Sequence, residues 1–301
     1  MNIVISEFIH PVALEILASH DVVYDVDLFR RPDDLRKVLS RAQALIVRNK
    51  TPVDADLLGY APNLRVVGRL GVGIDNIRQD LLAEKAIRLV LPKGANAISV
   101  AEYVIGMAIS FQRHLWQMTA QTREGNWDRD MSGLELAGRT LGIVGYGATG
   151  QQVAVRAQAL GMRLKIYDPR APVPSQWAAE NLEELLRAAD VVSLHVPLTP
   201  KTFHLLNEKT LAILPRHALL INTARGELID EAALLIALRT QNLGGAILDV
   251  RALEPPAPGD EIAALPNVFS TPHVAGLTED SQIAIARYVA QGINDVINQE
   301  R

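Results

Sequence analysis

Short apolar runs rich in β-branched residues recur along roughly the first ninety residues, at Ile3-Val4-Ile5, Val22-Val23-Tyr24, Leu45-Ile46-Val47, Val66-Val67 and Leu89-Val90. Unbroken apolar strands are the mark of a parallel sheet buried on both faces, where no side needs polar residues. Between them, Pro11 to Ser19, Arg31 to Arg41 and Asp54 to Tyr60 have amphipathic spacing with proline or aspartate at the front, and they read as helices. A second series follows at Thr140-Leu141-Gly142-Ile143-Val144, Leu164-Lys165-Ile166-Tyr167, Val191-Val192-Ser193-Leu194, Ala218-Leu219-Leu220-Ile221 and Ala246-Ile247-Leu248, with Val268-Phe269 behind it. The stretch from Ser99 to Gly125 reads as one long helix joining the two series, with Ser99 as N-cap and Glu102 completing a capping box. From Thr278 to about Asn298, the spacing of Ile283, Ile285, Val289, Ile293 and Val296 predicts a last helix that returns to the first series. The expected division is residues 1–97 plus 276–301 in one α/β domain and 98–275 in another.

Composition narrows the class. The chain has 301 residues, more than one core usually serves, and 49% are hydrophobic with only 5% aromatic, as aliphatic α/β layers require. A net charge of -4 without like-charged blocks argues against nucleic acid as a partner. The absence of cysteine removes disulfides, thiolate metal sites and a cysteine nucleophile. The opening Met1-Asn2-Ile3 lacks the basic lead of a signal peptide, and Ser99 to Phe111 is too short and too interrupted, by Glu102 and Gly106, to cross a bilayer. The expectation is a cytoplasmic enzyme with no membrane partner. The histidines His10, His20, His114, His195, His204 and His217 show no ligand spacing, so no metal is expected.

Gly145-Tyr146-Gly147-Ala148-Thr149-Gly150 is a G-x-G-x-x-G lying directly after a predicted strand and directly before the helical run Gln151 to Leu160. The first glycine permits the tight turn, the second lets backbone approach a pyrophosphate, and the third lets helix and strand close on each other. Free N–H groups at the helix start favour that anion. Asp168 ends the next strand, where a carboxylate accepts ribose hydroxyls and repels an NADP phosphate, although Arg170 nearby tempers the discrimination. A glycine turn serving only packing is the competing reading, but strand, helix and acid together favour a Rossmann-type NAD site.

Three polar clusters follow later strands: Asn222-Thr223-Ala224-Arg225-Gly226, Asp249 to Glu254-Pro255-Pro256, and Thr271-Pro272-His273. In an open α/β sheet ligands bind beyond the carboxyl ends of strands, so these clusters belong beside the cofactor. Hydride transfer to a 2-oxo acid needs a carboxylate anchor, a polarised ketone and a proton. Arg225 suits the first two with its fixed charge and planar fork, and His273 suits the third. Glu254 on the other ring nitrogen would set the tautomer. Singly, Arg225 could cap a helix, Glu254 lie on a loop surface and His273 bond backbone. Their joint placement favours catalysis.

These residues resemble the D-isomer-specific 2-hydroxyacid dehydrogenases, which include phosphoglycerate, glycerate and D-lactate dehydrogenases. The likeness covers nearly the whole chain: Gly71-Val72-Gly73-Ile74-Asp75-Asn76-Ile77, Ser99-Val100-Ala101-Glu102, the glycine turn, His195-Val196-Pro197-Leu198-Thr199, Asn222 to Gly226, Asp249-Val250 with Glu254-Pro255, and Thr271-Pro272-His273-Val274-Ala275-Gly276. It implies two doubly wound parallel-sheet domains, a Rossmann NAD-binding domain inserted into a flavodoxin-like substrate domain. It also implies Arg225 as substrate anchor, His273 as acid/base and Glu254 as its partner. Asp249 and backbone around Thr223 and Ala224 are expected near the nicotinamide, with His195, Pro197 and Gly276 along the cofactor, and Val72 and Gly73 are expected to offer N–H groups to the substrate carboxylate. A homodimer built partly on the helix after Ser99 is expected too, and no regulatory extension. Two positions depart from the pattern, Arg251 in place of an aromatic and Arg78 in place of an aspartate, and neither is expected to touch the catalytic set. The formate branch carries glutamine at the position of Glu254, which disfavours formate.

Arg48, after the strand Leu45-Ile46-Val47, falls where the family faces its substrate, with Lys50 and Arg69 nearby in sequence. As a substrate residue it would hold a second anionic group, pointing to 3-phosphoglycerate, sulfolactate or malate. As a solvated loop arginine it would do nothing specific. A nicotinamide-binding corepressor or a redox sensor on the same fold is the alternative to an enzyme. A hydrolase of the adenosylhomocysteine type would be longer and use cysteine.

Overall fold

A computed structural model describes residues 2–298. They fall into two units, residues 2–96 with 277–298 and residues 97–276. The first unit is a five-stranded, all-parallel sheet of β1 (Asn2–Ile5), β2 (Asp21–Tyr24), β3 (Ala44–Val47), β4 (Val66–Arg69) and β5 (Arg88–Val90), ordered β2-β1-β3-β4-β5. That is the flavodoxin-like order. Its crossovers are α1 (Val12–Ile16), α2 (Pro32–Leu39), α3 (Ala55–Gly59) and α4 (Gln79–Glu84). Pro32 opens α2 where its missing N–H costs nothing, and the Asp54 side chain accepts the Leu57 N–H to cap α3. The helix Glu279–Asn298 closes this unit, burying Ile285, Val289, Ile293 and Val296 in one core with Ile3, Ile5, Ile46 and Val66. Each such aliphatic side chain, once buried, stabilises by about 1.5–3 kcal/mol.

The second unit holds β6 (Thr140–Val144), β7 (Arg163–Tyr167), β8 (Val191–Leu194), β9 (Leu219–Asn222), β10 (Gly245–Leu248) and β11 (Val268–Ser270), again all parallel, ordered β11-β10-β9-β8-β6-β7. A lone parallel bridge joins Ile166 of β7 to Ala178, with Ile166 donating to the Trp177 carbonyl at 2.7 Å and Ala179 donating to Ile166 at 2.8 Å. Counted as a strand of minimal length, it restores the Rossmann order with one further strand at the far edge. Helices α5 (Ala97–Gln112), α6 (Leu115–Arg123), α7 (Ala148–Ala159), α8 (Leu182–Ala188), α9 (Glu208–Leu211) and α10 (Glu231–Arg239) complete the unit.

The single helix expected from Ser99 to Gly125 is two. His114, with φ of +52°, turns the chain between α5 and α6, and the turn seats Trp116 against Phe269 of β11 at 4.4 Å between ring centres. Ser99 does not cap the helix, because α5 begins at Ala97 and Ser99 is buried within it. Glu102 instead pairs with Arg156 of α7 at 3.3 Å.

Candidate active site

The register of the second sheet sets the site. Across it, Ser270, Leu248, Asn222, Leu194, Val144 and Tyr167 are successive partners in one row at the carboxyl ends of the strands. The residues that follow this row are Thr271, Asp249, Thr223, His195, Gly145 and Asp168, so six separate motifs leave the sheet along one edge. The chain reverses direction across the sheet between β6 and β8, the topological switch point where such sheets bind ligands.

Gly145 has φ of +99°, and a Cβ there would lie 2.6 Å from the His195 carbonyl oxygen. A Cβ on Gly150 would fall 2.1 Å from the Gly145 carbonyl oxygen, so helix and turn close only over glycine. Gly147, the N-cap of α7, has an ordinary φ of -74° and nothing within 4 Å of a Cβ. Its freedom from contact leaves room above the helix start, where the first-turn N–H groups have no partner inside the helix. Asp168 accepts the Tyr146 N–H at 2.8 Å on one oxygen and those of Arg170 and Ala171 at 2.8 and 3.0 Å on the other. Burial pushes this carboxyl up, but the three N–H groups and the Arg170 charge outweigh it and hold it below the usual carboxylate value. A carboxylate has about four acceptor positions, so one remains for a ribose hydroxyl. Across the switch point the Thr223 hydroxyl is buried with no hydrogen-bond partner among the described residues. The open Gly147, the fixed Asp168 and the orphaned Thr223 hydroxyl all fit a dinucleotide. Burial pushes the His195 imidazole down to about 4, so at neutral pH it is an uncharged ring, bonded through Nε2 to Ser193 Oγ at 2.9 Å. Pro197 is exposed and Ala224 half-buried.

His273 Nδ1 lies 2.9 Å from Glu254 Oε2, and both side chains are about half exposed. A carboxylate only accepts, so Nδ1 carries the hydrogen and Nε2 is left for chemistry. The other Glu254 oxygen accepts the Arg251 N–H at 3.1 Å. His273 has φ of +56°, and its loop is held by Asp249. The Asp249 carbonyl accepts the His273 N–H at 2.8 Å, while its carboxylate accepts the Thr271 hydroxyl at 2.6 Å and the N–H groups of Val274 and Ala275 at 2.8 Å each. Asp249 is 2% exposed, its carboxylate bound to the loop. Thr271 has spent its hydrogen on Asp249, so the Tyr103 hydroxyl, 2.6 Å away, donates to it. Burial pushes the Tyr103 phenol up and the Asp249 charge adds to the rise, giving about 12. Arg225 extends from the end of β9 and donates through Nη1 to the Ala224 carbonyl at 2.6 Å. Sequence reasoning missed Tyr103, which carries no motif, and the Arg251 link to Glu254, which corrects the expectation that Arg251 stays clear of the catalytic set. Arg78 pairs with Asp80 on the surface, at 2.9 and 2.6 Å.

In the first unit, Arg48 follows β3 in a loop whose backbone is fixed from below. Glu7, 3% exposed, accepts the N–H groups of Arg48, Asn49, Lys50 and Thr51 at 2.9, 3.1, 3.0 and 2.9 Å. Lys50 lies over the Phe29 ring at 4.8 Å, and Arg69 is buried, bonding the Leu70 carbonyl at 2.9 Å. Val72 is exposed and Gly73 half-buried. Of the remaining histidines, His217 meets Asp190 at 2.7 Å, His20 meets Asn294 at 2.8 Å and His10 meets Glu279 at 3.1 Å. Among the described residues no group of three or more His, Cys, Asp or Glu is placed to hold a metal.

Residues 105–275 match the family model of the D-isomer specific 2-hydroxyacid dehydrogenase NAD binding domain. The chain belongs to the D-isomer specific 2-hydroxyacid dehydrogenases. These are NAD-dependent oxidoreductases acting on CH–OH donors, and the second unit is their NAD-binding domain. The chain is 42% identical over 295 residues to the (S)-sulfolactate dehydrogenase of Chromohalobacter salexigens, covering 95% of this chain and 94% of that protein. It is 39% identical over 306 residues to the D-3-phosphoglycerate dehydrogenase of Methanocaldococcus jannaschii, covering 100% of this chain but 58% of that protein's length. Among solved structures, the D-lactate dehydrogenase of Aquifex aeolicus complexed with NAD and lactic acid superposes with a TM-score of 0.87 at 27% identity, covering 99% of this chain and 96% of that one. No helix among the described residues is long and apolar enough to cross a membrane.

Proposed function

We propose that this family member interconverts a 2-hydroxy acid and its 2-oxo acid, and that the acid carries a second anionic group. The observation that carries the reaction is the 2.9 Å bond between His273 Nδ1 and Glu254 at the same sheet edge as the glycine turn. NAD(H), when bound, supplies or accepts the hydride at C2. Protonated His273 gives the Nε2 proton to the forming hydroxyl and, in the reverse direction, takes it back. Glu254 fixes the ring orientation and stabilises the imidazolium. Arg225 holds the substrate carboxylate with its permanent charge, and Val72 and Gly73 offer backbone N–H groups to the same carboxylate. Gly145 to Gly150 receive the pyrophosphate and Asp168 the adenosine ribose, which favours NAD over NADP. Thr223, Ala224, His195, Pro197, Asp249 and Gly276 form the surroundings of the nicotinamide half.

Arg48 is assigned the second anionic group. Its backbone is locked by Glu7, so only its side chain has to be ordered on binding. Two relatives, named for sulfolactate and 3-phosphoglycerate, act on acids with a sulfonate or a phosphate. Malate, with a second carboxylate, satisfies the same chemistry. A homodimer using the segment around α6 is supported by exposed Leu115, Trp127 and Leu134, and a cytoplasmic location by the cysteine-free chain. The test follows NADH consumption against 2-oxo acids with neutral and anionic side chains, in the native protein and in Arg48→Ala. Preference for anionic acids that disappears in the variant supports the assignment. Equal turnover of neutral acids in both removes Arg48 from the substrate, and no turnover with intact NADH binding favours a corepressor or redox sensor.

A further inference from the structure

Glu254 sits in a loop whose two ends are drawn to one point. Directly after β10, the Arg251 side chain, 5% exposed, meets Glu231, the first residue of α10, through Nε at 2.9 Å and Nη2 at 3.0 Å. The same guanidinium meets Asp260, past Glu254, through Nη1 at 3.0 Å and Nη2 at 2.9 Å. Glu231 also accepts the Ala252 N–H at 3.0 Å, and Asp260 the Ala263 N–H at 2.7 Å. One planar cation thus closes the loop and fastens it to the start of a helix. The Arg251 N–H then reaches Glu254 Oε1 at 3.1 Å, while Oε2 of that carboxylate holds His273. The backbone at Arg251 also lies against Gly226, where a Cβ would fall 1.9 Å from the Arg251 carbonyl carbon. Gly226 follows Arg225, so the height of this loop registers both halves of the catalytic set.

We propose that Arg251, clamped by Glu231 and Asp260, is a positioning residue that sets Glu254 against His273. The inference rests on His273 acting as acid/base. A buried ionic cluster adds little net stability over apolar residues of equal volume, so stability alone does not account for it. Glu254 and His273 are half exposed, and apart from His273 itself the Arg251 N–H is the partner that Glu254 has among the described residues, so its rotamer depends on the Arg251 backbone. The aromatic common in the family at this position fills space but forms no bond to two carboxylates.

The test compares Arg251→Met, Arg251→Lys, Glu254→Gln, the double variant Arg251→Met/Glu254→Gln and the charge-free triple variant Glu231→Gln/Arg251→Met/Asp260→Asn, all in the full chain. The triple variant removes the clamp without leaving buried carboxylates unpaired. Turnover is read with the best 2-oxo acid, and NADH affinity by fluorescence titration. The expected result is kcat lower by about ten-fold in Arg251→Met and in the triple variant, with KM and NADH affinity within about two-fold, and partial recovery in Arg251→Lys. Arg251→Met adds no further loss to Glu254→Gln, because both act through one carboxylate. Impaired Glu254→Gln beside a triple variant with native kcat, or losses that multiply in the double variant, overturns the positioning role. Native kcat in Glu254→Gln overturns instead the catalytic reading beneath it.

Discussion

His195 gives the protein a pH-dependent stability whose size follows from its surroundings. The residue is partly buried, the one neighbour its ring bonds among the described residues is the neutral Ser193 hydroxyl, and burial pushes it down to about 4. The unfolded chain protonates this ring near its ordinary value of about 6.5. Between these values the unfolded state binds a proton that the folded state refuses, so stability falls as pH drops through the window. The cost is absent above about 6.5 and complete below about 4. At pH 5 it amounts to about 2 kcal/mol, or about 4–8 °C in Tm for a unit of this size. Asp168, Asp190 and Asp260 all lie below the ordinary carboxylate value of 3.8, so they stay ionised at that pH and leave the window clear. His195→Gln keeps a partner for Ser193 and does not titrate. Thermal unfolding at about pH 7.5 and about pH 5 should show the native protein losing about 4–8 °C more than the variant. Parallel losses would refute the reasoning.

Gly147→Ala should fold with Tm within about 2 °C of native, since nothing lies within 4 Å of the new methyl, yet lose at least about ten-fold in NADH affinity by titration. Gly150→Ala, whose methyl would meet the Gly145 carbonyl, should instead fail in calorimetry as well as in binding. Asp249→Asn must set an amide NH2 against at least one of the Val274 and Ala275 N–H groups in either orientation, costing about 1–3 kcal/mol. It should lower both Tm and kcat, and native values of both would contradict the anchoring of the His273 loop by Asp249.

The strands were legible because parallel strands buried on both faces leave continuous apolar runs, and the row from Tyr167 to Ser270 aligns them as that pattern requires. The Glu254 and His273 pair was readable because each residue follows a strand and the sheet brings those ends together. Three features were not. The bridge at Ala178 holds one residue, and the short Trp177-Ala178-Ala179 run around it has no β-branched residue to mark a strand. The break at His114 interrupts a segment whose apolar spacing continues through it, and the contact that accounts for it, Trp116 on Phe269, joins distant parts of the chain. The Arg251 clamp likewise depends on Glu231 and Asp260, which no spacing rule connects. A departure from the family pattern marked Arg251, but only the fold supplies its partners.

The most direct measurement is kcat for NADH-linked reduction of the preferred 2-oxo acid in native protein and in His273→Ala, with NADH binding titrated in both. A fall of at least about 100-fold in kcat with NADH affinity within about two-fold is expected of a lost acid/base. Near-native turnover in His273→Ala would contradict the assignment of His273 as the proton donor.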